Sequence, residues 1–253
     1  MKEEKKMDVK EMCVKTDNQV VISNDLIKGR SNLSLNELKL LRLTIMQIVA
    51  NDAELMTYRI KIQELAKVLN ISSANLYRDI FEMCKHLLQE IVYVGDGNPK
   101  HRWQMFQWCN ICEYDDGIIT IKLHEKLKPH LLQLKSHYTQ YMLEDILLLK
   151  SVYAVRIYEL LREGFKGQKV YADVCAFVSL DIDTIRKATD TTEKYLQMGH
   201  FKAKVINTAI EEINRKLGYV VSVDDIKKGR KIVGFQFKIE SPNNIYRKIM
   251  IGR

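Results

Sequence analysis

The chain has 253 residues, 46% of them apolar, and a net charge of +8, which suits a soluble globule of one or two domains that favours polyanions. No apolar run approaches the ~20 residues of a membrane span, and the charged start MKEEKKMDVKEM lacks the apolar core of a secretory signal, so the chain reads as cytoplasmic. Its five cysteines are then expected to be reduced thiols and not a disulfide framework.

In chain order, residues 1–17 read as a solvated N-terminal arm. Ser34 and Glu37 form a capping box: the serine oxygen takes a free amide and the glutamate reaches back. It opens a helix, LKLLRLTIMQI (38–48), that carries an internal Arg42. A short strand and second helix follow in YRIKIQELAKVLN (58–70). A longer amphipathic helix, NLYRDIFEMCKHLLQEIVYV (75–94), comes next, with Ser72 or Ser73 as its cap. Leu76, Ile80, Met83, Leu87 and Ile91 recur at helical spacing and predict its buried stripe; Asn75, Arg78, Glu82, Lys85 and Gln89 form a polar face of mixed charge. The loop GDGNPKHR, with Lys100, His101 and Arg102, reads as a weakly basic wing, and IITIKL (118–123) as its closing strand. Trp103, Phe106 and Trp108 suit core packing or a dimer surface better than base stacking. Cys109 and Cys112 fall in WQMFQWCNICEY, which reads as a strand, so their side chains are expected on opposite faces and no shared metal is expected.

The segment KLKPHLLQLKSHYTQYMLEDILLLKS lacks glycine and reads as one or two helices, holding what precedes and follows it in a fairly fixed relation. The same order of elements then returns. VYAVRIYELL (152–161) carries Arg156, and FVSLDIDTIRKATD (177–190) gives a strand and second helix. HFKAKVINTAIEEINRKLGYVV (200–221) buries Ile206, Ala209, Ile210, Ile213 and Leu217, flanked by Phe201 and Val205. Its exposed side and leading turn hold Lys194, Tyr195, Gln197, His200, Lys202, Lys204, Asn207 and Thr208. Lysine can reach guanine or phosphate, and Asn or Gln can pair with adenine, so this is a composition suited to reading a major groove. The hairpin DDIKKGRKIV then places Lys227, Lys228, Arg230 and Lys231 around Gly229, where they can meet flanking phosphates or enter a minor groove; VGFQFKI (233–239) closes the copy.

The duplication can be tested by offsets. Leu38, Leu41 and Arg42 match Val152, Val155 and Arg156 at 114; Ile60, Ile62 and Leu65 match Leu180, Ile182 and Ile185 at 120. Ile80, Leu87, Ile91 and Tyr93 match Ile206, Ile213, Leu217 and Tyr219 at 126; Ile119, Ile121 and Leu123 match Phe235, Phe237 and Ile239 at 116. The offset changes only between elements, as loop insertions would produce. Helix, helix, helix and two-stranded wing is the order of a winged helix. The expected fold is therefore α+β and helix-rich, with two tandem winged-helix domains at 18–144 and 145–241 and a tail at 242–253. Residues 1–144 carry 20 Lys and Arg against 19 Asp and Glu, or +1; residues 145–253 carry 20 against 13, or +7. The second copy is thus the expected main DNA reader, through Lys194, Tyr195, His200, Lys202, Lys204, Asn207, Lys227, Lys228, Arg230 and Lys231. The first copy offers secondary contacts through Ser73, Asn75, Arg78, Lys85, Lys100 and Arg102. Two recognition helices on one face of B-DNA meet successive major grooves ~10 bp apart, so a monomer could read roughly two turns.

From about Val20 to Ile239 the chain resembles the iteron-binding replication initiators of theta-replicating plasmids. The resemblance rests on VISNDLI, on LHEKLKPHLLQLKSHYTQYMLEDILLLKSVYAVRIYELL and on FKAKVINTAIEEINRKLGYVVSV. Ser151, Tyr153, Arg156, Tyr158, Glu159, Leu160 and Leu161 match the family's SxYxxRxYELL; Phe201, Lys202, Val205, Ile206, Ala209, Glu212, Ile213 and Asn214 match its FKxxVIxxAxxEIN. Thr208 stands where relatives often have proline, which implies a straighter helix here. Lys202 and Lys204 stand where relatives often have arginine, and lysine lacks the bidentate fork, which favours phosphate over base contact. The resemblance implies monomers bound to origin direct repeats, opening of an adjacent AT-rich segment, and recruitment of the host initiator and replicative helicase. It also implies a homodimer, in equilibrium with the monomer and joined through the N-terminal module, that binds an inverted repeat and represses its own promoter.

No enzyme chemistry is expected. A nicking initiator needs a His-hydrophobic-His metal pair, yet no two of histidines 86, 101, 124, 130, 137 and 200 are two apart. No GxxxxGK[ST] loop appears, so neither ATP nor another cofactor is expected. A plain winged-helix repressor is the alternative, and it differs in using one operator without tandem repeats. A purely structural dimerisation module would show no salt-sensitive DNA binding.

Overall fold

The computed structural model describes residues 9–14, 18–49, 51–95, 98, 100–165 and 175–240. The expected tail at 242–253 lies outside them, as do 1–8 and 15–17 of the expected arm. The chain forms two compact units. The first comprises Met1–Leu26 and Asn32–Leu147; the second comprises Leu148–Arg253 together with the short stretch Ile27–Ser31.

The first unit begins with strand β1 (Val9–Glu11), which pairs in parallel with a later strand, β3 (Thr57–Lys61). This corrects the reading of 1–17 as a solvated arm. Met12 is buried and its amide donates to the Arg59 carbonyl at 2.7 Å, while Gln47 hydrogen-bonds both the amide and the carbonyl of Cys13. Strand β2 (Gln19–Ser23) and helix α1 (Asn24–Lys28) lead to α2 (Leu35–Met46). The Ser34–Glu37 capping box is present in both directions, at 3.4 and 2.7 Å. After β3 come α3 (Ile62–Leu69), ended by Asn70 at φ 56°, and α4 (Leu76–Gln89). Neither Ser72 nor Ser73 caps α4 by its side chain; a single tight turn, Ser73–Asn75, leads into it.

Helix α4 also ends earlier than expected. Glu90 is extended, and Ile91–Val94 becomes strand β4, because the β-branched run IVYV pairs with β5 (Gln104–Gln107). Ile91 consequently leaves the buried stripe and is 52% exposed. Strands β6 (Cys109–Asp115) and β7 (Ile118–Leu123) complete a sheet of order β1-β3-β7-β6. The β6–β7 hairpin, turning at Asp116 and Gly117 (φ 40° and 77°), is therefore the wing of this unit. The loop at 95–102, expected to be the wing, belongs to the separate β4–β5 hairpin. Two successive turn-rich loops competed for the role, and the pairing of β7 with β3 decides it.

A bulge between Cys109 and Ile111 changes the parity of β6. Cys109 and Cys112 therefore do not diverge: the Cys112 thiol interacts with both Cys109 and Cys84 of α4. The Cys112 contact and burial raise the Cys84 thiol, and the Cys109 contact and burial raise the Cys112 thiol against a lowering contact from Cys84. Among the described residues no cluster of three or more His, Cys, Asp or Glu is suited to a metal. The linking segment also departs from an all-helical reading. Short α5 (Lys128–Leu131) and α6 (Leu143–Leu148) flank strand β8 (Tyr138–Met142), whose alternating burial pairs it with β2.

The second unit repeats the order: α7 (Val152–Phe165), β9 (Ala176–Asp181), α8 (Ile182–Ala188), then α9 (Met198–Phe201) continuing as one helix into α10 (Thr208–Leu217). Strands β10 (Val220–Lys228) and β11 (Lys231–Glu240) form the wing, in sheet order β10-β11-β9. The sequence offsets reappear as cross-strand pairs. Ile60 faces Ile119 as Leu180 faces Phe235, and Tyr58 faces Ile121 as Val178 faces Phe237. Gly234 is required where β11 passes β9: a Cβ there would stand 2.6 Å from the Leu180 carbonyl oxygen.

Arg156 organises this unit from inside α7. It is 2% exposed and its partner Glu159 is 0% exposed, at 2.5 Å. Its remaining donors reach the carbonyls of Ala188 (2.8 Å), Ile27 (2.6 Å) and Gly29 (3.0 Å). One guanidinium thus joins α7, the end of α8 and the Ile27–Ser31 stretch. No helix among the described residues is long and apolar enough to cross a membrane.

Candidate nucleic-acid interface

The third helix of the second unit buries Phe201, Val205, Ile206, Ala209, Ile210 and Ile213; Leu217 is half-buried. The opposite side exposes His200, Ala203, Lys204, Asn207 and Thr208. Between α9 and α10 the backbone is not α-helical: Lys202–Asn207 winds as a π-helical turn. The Thr208 hydroxyl donates to the Ala203 carbonyl at 3.0 Å, five residues back, across that wide turn.

The loop that feeds this helix is tied down by Arg186 of α8. Its guanidinium donates to the carbonyls of Thr191 (2.6 Å), Lys194 (2.8 Å) and Tyr195 (2.9 Å), and lies 4.1 Å from the centre of the Phe201 ring. Tyr195 adopts φ 51° and packs edge-on against Tyr153, so it is half-buried and not a free aromatic. Burial and the hydrogen bond with Tyr195 push the Tyr153 hydroxyl up to about 12.

Two of the expected contact lysines are held by carboxylates. Lys194 pairs with Asp190 at 2.9 Å, and Asp190 also receives Arg30 Nε at 2.9 Å. Burial alone would raise the Asp190 carboxyl, but the hydrogen bonds from Lys194 and Arg30 outweigh it and hold it below the usual range. Lys202 pairs with Asp225 of β10 at 2.7 Å, which sets the base of the wing beside the helix. Lys204 is exposed and makes no ion pair among the described residues.

At the wing tip Lys227, Lys228, Arg230 and Lys231 are all exposed. Gly229, at φ 63°, supplies the turn, and a register shift after Ile226 twists the hairpin end. Four cations so placed make a protruding positive edge next to a helix that presents Lys204, His200 and Asn207.

The first unit is different in character. Ser73, Asn75, Arg78 and Lys85 are exposed on or before α4, but Arg78 lies 3.1 Å from Asp79 and Lys85 3.7 Å from Glu82. Phe81 and Tyr77 are 63% and 58% exposed on the same helix, and Tyr77 packs edge-on against the exposed Tyr114 of β6. Lys100 and Arg102 are exposed on the extra β4–β5 hairpin, while the true wing tip carries Asp115 and Asp116. Phe106 and Trp108 are buried and Trp103 is exposed. Sequence reading missed Arg186, Asp190 and Asp225, whose contacts run from four residues away, in Asp190–Lys194, to 160 away, in Asp190–Arg30.

The family described as Initiator Replication protein, WH1, matches residues 19–162, and Initiator Rep protein, WH2, matches residues 181–239. The Escherichia coli "PI protein" is 26% identical over 200 residues, 72% of this chain and 63% of that protein, so the chain spans a little under two thirds of this relative's length. The crystal structure of the Pi initiator protein in complex with iteron DNA matches with a TM-score of 0.70 at 20% identity, over 89% of this chain and 98% of that one, a likeness of fold.

Proposed function

The chain belongs to the initiator replication protein family, with both of its winged-helix domains, and from that premise we propose that it starts plasmid replication by binding iterons in duplex DNA. The observation that carries this reading is the exposed basic edge of the second unit, where His200, Lys204 and Asn207 stand beside the four-cation wing. The solved Pi initiator, which shares the fold, is itself in complex with iteron DNA.

In this reading the second unit is the main reader. The helix face lies in a major groove and Lys227, Lys228, Arg230 and Lys231 follow the backbone. The first unit adds secondary contacts and the dimer surface. The protein works without covalent chemistry, cofactor or metal, in the cytoplasm. Bound at origin repeats as a monomer, it promotes opening and brings in the host initiator and replicative helicase. As a homodimer it represses its own promoter at an inverted repeat. The test is a footprint with a salt titration on fragments flanking the gene. Regularly spaced protection over tandem ~20-bp repeats is expected. A single protected inverted repeat would favour a plain repressor, and no sequence-specific protection at low salt would overturn DNA reading altogether.

The carboxylate pairs give this proposal a sharper form. Lys202→Ala with Lys204→Ala is expected to weaken binding and flatten the slope of log affinity against log salt by about one unit per lost phosphate contact. Asp225→Asn should act oppositely, because it removes the carboxylate now holding Lys202 at 2.7 Å. Affinity is expected to rise and the slope to steepen by about one unit. Weaker binding by Asp225→Asn would mean that Asp225 aims Lys202 at the DNA.

A further inference from the structure

The buried stripe of the reader helix runs through Phe201, Val205 and Ile206, then Ala209 and Ile210, then Ile213, at ordinary helical spacing. Within that stripe the backbone nevertheless departs from the α-helix, winding as a π turn over Lys202–Asn207. Such turns are rare inside helices and concentrate at functional sites.

Lys202, Ala203 and Lys204 lie in this turn between the buried Phe201 and Val205, and Ala203 is exposed at the middle of them. Thr208 fixes this arrangement through its 3.0 Å hydrogen bond to the Ala203 carbonyl. A methyl flanked by two cations on the crest of a helix is a suitable shape for the thymine methyl in a major groove.

We infer that the π turn is the specificity-determining element of this helix, with Ala203 as the base-contacting residue and Thr208 as the positioning residue. The inference rests on the DNA-reading function proposed above and deepens it. Cations at Lys202 and Lys204 supply affinity for any duplex, whereas the turn decides which duplex is preferred.

The experiment compares a duplex carrying the footprinted tandem repeat with a scrambled duplex of equal length and composition, at one salt concentration. The variants are deletion of Ala203, Thr208→Val and Thr208→Ser, each checked by circular dichroism and thermal unfolding. Deletion of Ala203 keeps both lysines and takes one residue out of the π turn. It is expected to lower the repeat-to-scrambled affinity ratio about tenfold or more while scrambled affinity and the salt slope stay unchanged. Thr208→Val is expected to lower the ratio several-fold, and Thr208→Ser, which keeps the hydroxyl, to restore it. If the deletion variant does not fold, the Thr208 pair decides. An unchanged ratio in the folded deletion variant, or in Thr208→Val, overturns the inference alone. A wild-type chain that does not distinguish the duplexes overturns the functional proposal and this inference together.

Discussion

Arg156→Met is expected to cost the second unit about 3–5 kcal/mol, enough to unfold a marginally stable domain at ordinary temperature. The reason is not the loss of an ion pair as such. Glu159, 0% exposed, would lose the guanidinium now 2.5 Å away, and the carbonyls of Ala188, Ile27 and Gly29 would each lose a donor. Taking the guanidinium from a buried carboxylate costs far more than the pair contributed. The companion variant, Arg156→Met with Glu159→Leu, removes both charges together and is expected to recover a good part of the stability. Thermal and urea unfolding of the three proteins tests this. If both variants lose the same amount, the three carbonyls matter more than the buried carboxylate.

The second large effect concerns the wing. Neutralising Lys227, Lys228, Arg230 and Lys231 to alanine together is expected to lower DNA affinity by roughly a thousandfold at ~0.1 M salt and to flatten the salt slope by about three to four units. All four side chains are exposed at the hairpin end, so stability should change little. The loss should be nearly equal for repeat-bearing and scrambled duplexes, because phosphate contacts carry little sequence information. A loss confined to the repeat would instead put these residues in a groove, reading bases. The parallel change on the first unit, Lys100→Ala with Arg102→Ala, provides the contrast.

Much of this architecture was legible in the residues, because duplication left matched apolar positions in each copy. The offset of 120 between Ile60 and Leu180 and of 116 between Ile119 and Phe235 reappears as two cross-strand pairs at equivalent places. The capping box at Ser34 was legible because it is purely local. The wing of the first copy was not. The turn at Asp116–Gly117 and the loop at 95–102 are both good hairpin signals, and only long-range pairing with β3 separates them. The strand at Ile91–Val94 was hidden because its apolar residues also continue the helical stripe of α4. The π turn was not legible, because Phe201 and Val205 are four apart, the spacing of an ordinary α-helix. The pairing of Lys202 with Asp225 could not be read at all, since opposite charges 23 apart meet only through the fold.

The short stretch Ile27–Ser31 carries a kinetic consequence. The bond from Arg156 to the Ile27 carbonyl closes a loop of 129 residues, and its ends would find each other slowly in an unordered chain. Folding of the first unit changes that. It sets the Asn24 amide on the His137 carbonyl at 2.8 Å, so the remaining loop runs through only roughly 22 residues. On the logarithmic scale of loop closure this lowers the entropy cost by about 1.6 kcal/mol. The expected order of assembly therefore places the first unit before the second, to which it delivers the Ile27 and Gly29 carbonyls that Arg156 grasps.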